Sequence, residues 1–468
     1  MVFTTQIFIF YFLPLFLLVY YRLPYGWRNL WITLASYVFY GWWEPWFAGL
    51  MLFTTILDYL WGKVITRPGA TSKERKLAVA ACVVTNLTLL GFFKYYMFAA
   101  ETLNELLSSV GAQQIRVLQV VLPIGISFYT FHSLTYIIDL YRGHATPAKS
   151  FSGFSAFVAL FPDLVAGPII RYKTLAEQLR ERQHTVSRFA SGIAIFIVGF
   201  SKKILLANPC GQVADAVFNT GNPYAFDAWI GALAYAFQIY FDFCGYSDMA
   251  VGLGRMLGFE FPRNFDAPYR SESITELWRR WHISLSSVLR DYLYFALGGN
   301  RKGEGRTYFN LAVVMVIGGF WHGAKWNFLF WGAFHGLFLV LERWRGKRSL
   351  YGSLPRPGRI AITFLLMLLS WVLFRADNLT AAVDYYRAMF GFSTPGTVAM
   401  LLPATIYTPY HVIIMLVCAV LVFQPLQAHD WAEYPVTWAR AAMMLPLFLF
   451  SLMVMFSQAF NPFLYFQF

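Results

Sequence analysis

Apolar runs follow one another along almost the whole chain, broken only by short polar gaps. Runs of about 20 apolar residues match the thickness of a bilayer core, and shorter ones serve where protein surrounds them. On this basis spanning segments are expected at residues 2–21, 29–43, 47–61, 77–98, 117–140, 191–207, 228–243, 308–321, 326–341, 360–374, 410–423 and 441–460. The gaps between them are too short to hold a separate core, so residues 1–468 are expected to form a single integral-membrane domain. The fold class this predicts is all-α and polytopic. The first run ends in "YYRLPYGWR" and has no small-residue cleavage site, which predicts a first spanning helix and not a removable leader.

Two stretches depart from simple spans. Residues 151–172, "FSGFSAFVALFPDLVAGPIIRY", are apolar but interrupted by Pro162, Asp163, Gly167 and Pro168, and basic loops flank both ends. Such a segment reads as re-entrant, because irregular backbone at membrane depth survives only where protein or a water-filled cavity satisfies it. In residues 241–297 apolar turns alternate with "DFCGYSDM" and "PRNFDAPYR". The end of this region places Ile274, Leu277, Trp281, Leu285, Val288, Leu289 and Tyr292 at helical spacing, predicting one amphipathic helix in the interface.

Composition sharpens the class. The chain is 58% hydrophobic, 19% aromatic and 13% charged, far from the quarter or so of charged residues usual in a soluble domain. Its formal charge of +13 reflects basic loops on the cytoplasmic side facing anionic lipid, and not a nucleic-acid partner. Basic clusters at residues 63–76, 171–188, 255–280 and 342–359 mark the cytoplasm, whereas residues 208–227 hold no Lys or Arg. Counting back from Lys63 puts the N-terminus outside. The four cysteines, Cys82, Cys210, Cys244 and Cys418, have neither disulfide-framework nor zinc-site spacing.

Within the apolar stretch Gly318–Gly336, "GGFWHGAKWNFLFWGAFHG", stand His322, Lys325, Asn327 and His335. Polar groups at membrane depth are costly and are functional candidates by default. His322 leads because an imidazole exchanges protons near neutral pH. A second candidate, His282 in "WRRWHISLS", lies 40 positions earlier and also follows a Trp. Two such rings converging on one cavity suit hydroxyl activation: one takes the proton as an alcohol attacks a carbonyl, the other orients the acceptor or supports the oxyanion. Each histidine also has a reading as a hydrogen-bonding residue between helices or toward lipid headgroups. His335, Lys325 and Asn327 fit structural roles, with His335 packing on a neighbouring helix and Lys325 snorkelling. Asp163, Asp242, Asp248 and Asp291 are too dispersed for a two-carboxylate or metal site, and suit pairing with nearby arginines or hydrogen-bonding broken backbone, with orienting a histidine a lesser alternative. No metal site is expected. Bis-histidine haem ligation is disfavoured by the bulk of Trp281 and Trp321. P-loop, dinucleotide, GxSxG and HExxH motifs are absent from the sequence.

The segments "LPIGISFYTFHSLTYIIDLYRG", "FPDLVAGPIIRY", "YFDFCGYSDMAVGLG", "NFDAPYRSESITELWRRWHISLSSVLRDYLYFALGGNR" and "GGFWHGAKWNFLFWGAFHG" together resemble the membrane-bound O-acyltransferases, in particular the bacterial branch acting on extracellular polysaccharides such as alginate and acetylated cellulose. The likeness runs from the first helix to the closing "NPFLYFQF" and is strongest over residues 122–342. It implies a ring of roughly 11–12 tilted transmembrane helices with re-entrant and interfacial elements, in the bacterial inner membrane. It also implies His322 of the "WHG" motif as the essential histidine and His282 of "WRRWH" as the second active-site position. The expected donor is an acetyl thioester, acetyl-CoA, with no resident cofactor. Expected partners are membrane lipid, periplasmic acceptor or acetyltransferase proteins and an exopolysaccharide synthesis and secretion complex. D-alanyl transfer to a cell-wall polymer and transport without bond chemistry remain as alternatives, with a scaffolding role behind them.

Overall fold

Every one of the expected apolar segments overlaps a helix in the computed structural model, and among the described residues there is no strand. The structure describes residues 1–346, 349–431, 436–458, 460–462 and 464. Lys347 and Arg348 of the last basic cluster, Ala459 of the final expected span, and Phe463 and residues 465–468 of the closing motif lie outside the described residues.

By length and apolarity, five helices among the described residues can cross a bilayer: Pro45–Thr66, Ser72–Ser109, Val186–Phe218, Arg356–Arg375 and Trp438–Ser457. The pair Thr397–Ile406 and Pro409–Leu421, bent by 73°, makes a sixth if it is one span. The other helices at the expected segments are shorter or carry more polar side chains, as in Ile126–Tyr141 and Glu304–His322. The chain is a multi-pass, all-helical membrane protein.

The chain folds as two compact units, Met1–Gly192 with Leu253–Pro262, and Ile193–Gly252 with Arg263–Phe468. In the first unit an aromatic core gathers Phe8, Phe12, Phe16 and Phe39 around Phe161, at ring-centroid distances of 5.0–6.2 Å. The expected span at residues 117–140 begins only at Ile126. Pro123 lacks the N–H that a continued helix needs, and Gly125 sits at φ +77, so the chain turns there before the helix starts. In the re-entrant candidate, helix Phe151–Val158 gives way to irregular backbone at residues 159–171, almost all of it buried. Asp163 Oδ2 lies 2.9 Å from His132 Nε2 in this stretch, both side chains being 0–1% exposed.

In the second unit, "YFDFCGYSDM" does not interrupt the chain; it continues the 32-residue helix Ala225–Met256. Its aspartates pair with lysines, not arginines: Asp242 with Lys203 and Asp248 with Lys202, each at 2.7 Å. Asp291 pairs with its neighbour Arg290 at 2.8 Å. Helices Glu304–His322 and Trp326–Trp344 form an antiparallel hairpin packed backbone to backbone. A Cβ on Gly319 would lie 2.3 Å from the Phe328 carbonyl oxygen, and one on Gly332 would lie 2.4 Å from that of Met315. Small residues are what allow this approach where apolar lipid supplies no hydrophobic drive.

Candidate active site

The hairpin turn creates the first half of the site. His322 is the last residue of helix Glu304–His322, and residues 323–325 turn the chain into Trp326–Trp344. Gly323 is needed because an added Cβ would sit 2.2 Å from the Phe328 ring. The turn leaves the His322 ring among Trp321, Trp331 and Phe374, at centroid distances of 5.0, 5.4 and 5.4 Å.

The second half comes from a break that the helical periodicity did not reveal. The expected single helix over residues 274–292 is three pieces: Ile274–Arg280, Ile283–Val288 and a π-helical segment Leu289–Tyr294. Trp281 is extended, and His282 has φ 45 and ψ 53, a left-handed conformation that costs a non-glycine residue roughly 1–2 kcal/mol. The apolar spacing persisted because Trp281 still faces inward, against Phe265 and Trp371, each at 5.1 Å. What replaced the helical bonds is pairing with the preceding loop. The Asp266 amide donates to the Arg280 carbonyl, and the Ile283 amide to the Asn264 carbonyl, both at 2.9 Å.

This pairing delivers Asn264 to the histidine. Its Oδ1 accepts from the Ser284 hydroxyl at 2.9 Å and the Ser284 amide at 3.3 Å, and lies 3.2 Å from His282 Nδ1. An amide oxygen only accepts, so Nδ1 carries the proton and Nε2 keeps its lone pair. His282 is fully buried, edge-on to Phe243 at 4.7 Å, and its ring centroid lies 6.3 Å from that of His322. The two histidines singled out in the sequence are thus brought together by different elements.

A cavity of about 270 Å³ opens at His322, lined mainly by apolar side chains including Leu285, Leu289, Val314, Met315 and Gly318. His322 is the imidazole on the wall of this cavity, and apolar walls strengthen any charge stabilisation its ring provides.

The remaining polar residues of the stretch separate from this pair. Asn327 donates to the carbonyls of Leu373 and Ala376, at 3.1 and 2.7 Å, tying the hairpin to helix Arg356–Arg375. Lys325 is exposed beside the turn. His335 is buried against Trp278 and Trp331, at 5.2 and 4.9 Å. Asn264 went unrecognised because its role depends on loop pairing. The signal available was an amide in a proline-flanked, non-helical stretch shortly before a candidate histidine. Among the described residues no three His, Cys, Asp or Glu side chains converge to hold a metal ion.

The model of the membrane-bound O-acyltransferase family matches residues 144–347. The whole chain is 43% identical to the probable alginate O-acetylase AlgI of Azotobacter vinelandii, covering 100% of both. The chain belongs to the membrane-bound O-acyltransferase family. As an acyltransferase of this family it is also 49% identical to the probable alginate O-acetylase AlgI of Pseudomonas aeruginosa, over 84% of this chain and 76% of that one. A peptidoglycan O-acetyltransferase of Helicobacter pylori is 35% identical over 84% of this chain and 80% of its own length. Within this membrane-bound O-acyltransferase both histidines fall inside the matched residues.

Proposed function

We propose that this protein O-acetylates an exopolysaccharide of the alginate kind from the bacterial inner membrane, with the whole chain working as one catalytic domain. The observation that carries the chemistry is the meeting of His282 and His322, ring centroids 6.3 Å apart, with His322 on the wall of an apolar cavity. An acetyl thioester, acetyl-CoA, enters from the basic cytoplasmic side. His322 takes the proton of an acceptor hydroxyl presented from the periplasm, and the oxygen attacks the thioester carbonyl. The tetrahedral intermediate collapses with cleavage of the C–S bond, and the departing thiolate recovers the proton from the imidazolium. His282, its Nδ1 proton directed at Asn264, orients the acceptor by taking a hydrogen bond from its hydroxyl at Nε2. The acceptor hydroxyl belongs to a periplasmic partner that passes the acetyl group to the polymer, within an exopolysaccharide synthesis and secretion complex. Likeness to the alginate O-acetylases supports this polymer class over D-alanyl transfer.

The test is thioester consumption by purified wild type and His322→Ala with acceptor supplied. A loss of orders of magnitude with folding intact is expected, and equal rates would remove His322 from the chemistry. His282→Ala is expected to lose much of the rate, and a wild-type rate would reduce it to a packing residue.

A further inference from the structure

Positive charge gathers at one end of the first compact unit, where helix Leu13–Arg22 turns into helix Tyr25–Tyr40 and meets residues 178–184 and 256–259. Arg28 and Arg182 share the Tyr25 ring, at 5.6 and 5.5 Å from its centroid. Arg28 also stands 5.2 Å from the Tyr20 ring, and Arg182 4.5 Å from that of Phe259. Arg182 is 6% exposed; its Nη1 donates to Asn29 Oδ1 at 2.8 Å, while its Nε and Nη2 are buried with no hydrogen-bond partner among the described residues. Arg28 is half-buried. Its Nε donates to the Leu23 carbonyl at 3.3 Å, its Nη1 lies 3.3 Å from His184 Nδ1, and its Nη2 has no hydrogen-bond partner among the described residues.

No acid answers this charge. Among the described residues neither guanidinium pairs with a carboxylate, and Glu260, next to Phe259 in the chain, is held by Arg188 at 2.9 Å. Aromatic rings attract a guanidinium through their quadrupole, but they carry no net charge to cancel it. Two cations drawn together out of water cost stability unless an anion from outside the chain completes the set. Arg28 is the side chain placed to make that contact, since a guanidinium edge with spare N–H donors matches the fork of a phosphate. The buried Arg182 adds field without needing contact.

The surroundings select the source of the anion. The apolar helix Ile7–Arg22 ends here, and the spanning helix Val186–Phe218 begins two residues after His184. Tyr21, Tyr25 and Trp27 are exposed beside the cluster, and Val186 is 87% exposed. Bare tyrosine and tryptophan at the ends of spans mark the depth of lipid headgroups. The basic cluster at residues 171–188 puts this end on the cytoplasmic side, whose leaflet carries anionic lipid.

We propose that Arg28, with Arg182 and His184, forms a binding site for the phosphate of an anionic phospholipid, whose acyl chains lie against the adjoining ends of helices Ile7–Arg22 and Val186–Phe218. The site belongs to the first unit, whereas His282 and His322 belong to the second, so it acts on stability and takes no part in the acyl transfer.

The test adds phosphatidylglycerol, phosphatidylcholine or inorganic phosphate to the delipidated full chain in detergent, reading the melting temperature and counting bound lipid by native mass spectrometry. Phosphatidylglycerol is expected to raise the wild-type melting temperature by several degrees, and the other two to change it little. Arg28→Gln should weaken phosphatidylglycerol binding about tenfold and lose most of the shift, and Arg28→Lys should keep much of it. Arg67→Gln is the control: Arg67 lies in another basic cluster and is paired with Glu74 at 2.8 Å, so its loss should leave the shift whole. Each variant is compared with itself with and without lipid, so a lower starting melting temperature does not obscure the result. A shift as large in Arg28→Gln as in wild type, or lost equally in Arg67→Gln, overturns the site. A shift that inorganic phosphate reproduces and Arg28→Gln abolishes overturns the lipid as its source and makes it a site for a free anion.

Discussion

Replacing Asn264 by Ala should slow the reaction through an imidazole it does not replace. Asn264 is 3% exposed, and its Oδ1 holds the Ser284 hydroxyl at 2.9 Å, the Ser284 amide at 3.3 Å and His282 Nδ1 at 3.2 Å. Each buried donor left without its acceptor costs about 1–3 kcal/mol. The Ser284 hydroxyl, already 3.5 Å from His282 Nδ1, can then rotate and donate to that nitrogen. This relieves part of the cost but moves the imidazole proton to Nε2, removing the lone pair from the side that faces the reaction. A kcat loss of roughly 10–100-fold is expected, equivalent to about 1.4–2.7 kcal/mol, with donor KM unchanged. Ser284→Ala is the control: it deletes a hydrogen bond of the same cluster but keeps the Asn264–His282 contact, so its kcat should stay near wild type. Steady-state kinetics on both variants, with melting temperatures in detergent, make the comparison. Equal kcat losses in the two, or a wild-type kcat in Asn264→Ala, would refute the tautomer argument.

Two further outcomes follow from packing and charge. Gly332→Ala places a Cβ 2.4 Å from the Met315 oxygen and should cost about 1–3 kcal/mol, read as a lower melting temperature, whereas Gly336→Ala meets Ala312 Cα at 3.3 Å and should be milder; equal effects would contradict the close-approach argument. His184 lies outside the spans, where burial foremost, then the positive charges of Arg28 and Arg182, hold its pKa below the ordinary value. Its Nε2 lies 2.9 Å from the Tyr20 hydroxyl, while its Nδ1 faces Arg28 Nη1 at 3.3 Å, so protonation sets two positive groups against each other. A depressed histidine pKa means stability is full above the unfolded value, about 6.5, and falls as pH drops from there toward the folded value. His184→Gln should therefore flatten the acid limb of a melting-temperature profile below about pH 6.5, and an unchanged slope would exclude His184 as its source.

The elements, and His322 as a candidate, were legible because they rest on local properties. Hydrophobic runs declare helices whatever they pack against, and a costly imidazole in an apolar stretch declares itself for the same reason. The continuous helix expected over residues 274–292 shows where that legibility stops. Trp281, Leu285 and Val288 are buried as the periodicity requires, yet the backbone between them is broken at His282. Side-chain periodicity records which residues face inward; it does not record whether the backbone bonds along the helix or sideways to a neighbour. The aspartates show the same limit, since Asp163, in broken backbone, stands beside a histidine and Asp291 pairs with Arg290, both among the roles expected, whereas the lysine partners of Asp242 and Asp248 were not foreseen.

By itself, then, the sequence determined an all-helical membrane chain and its apolar segments, which follow from hydropathy, and it offered His322 and His282 as candidates that the family resemblance, and not periodicity, raised above a structural role. Only the tertiary structure decided that those imidazoles meet and that Asn264 stands against one of them. Each of these depends on distances between residues far apart in the chain, and such distances are fixed by packing and loop pairing, which no local pattern encodes.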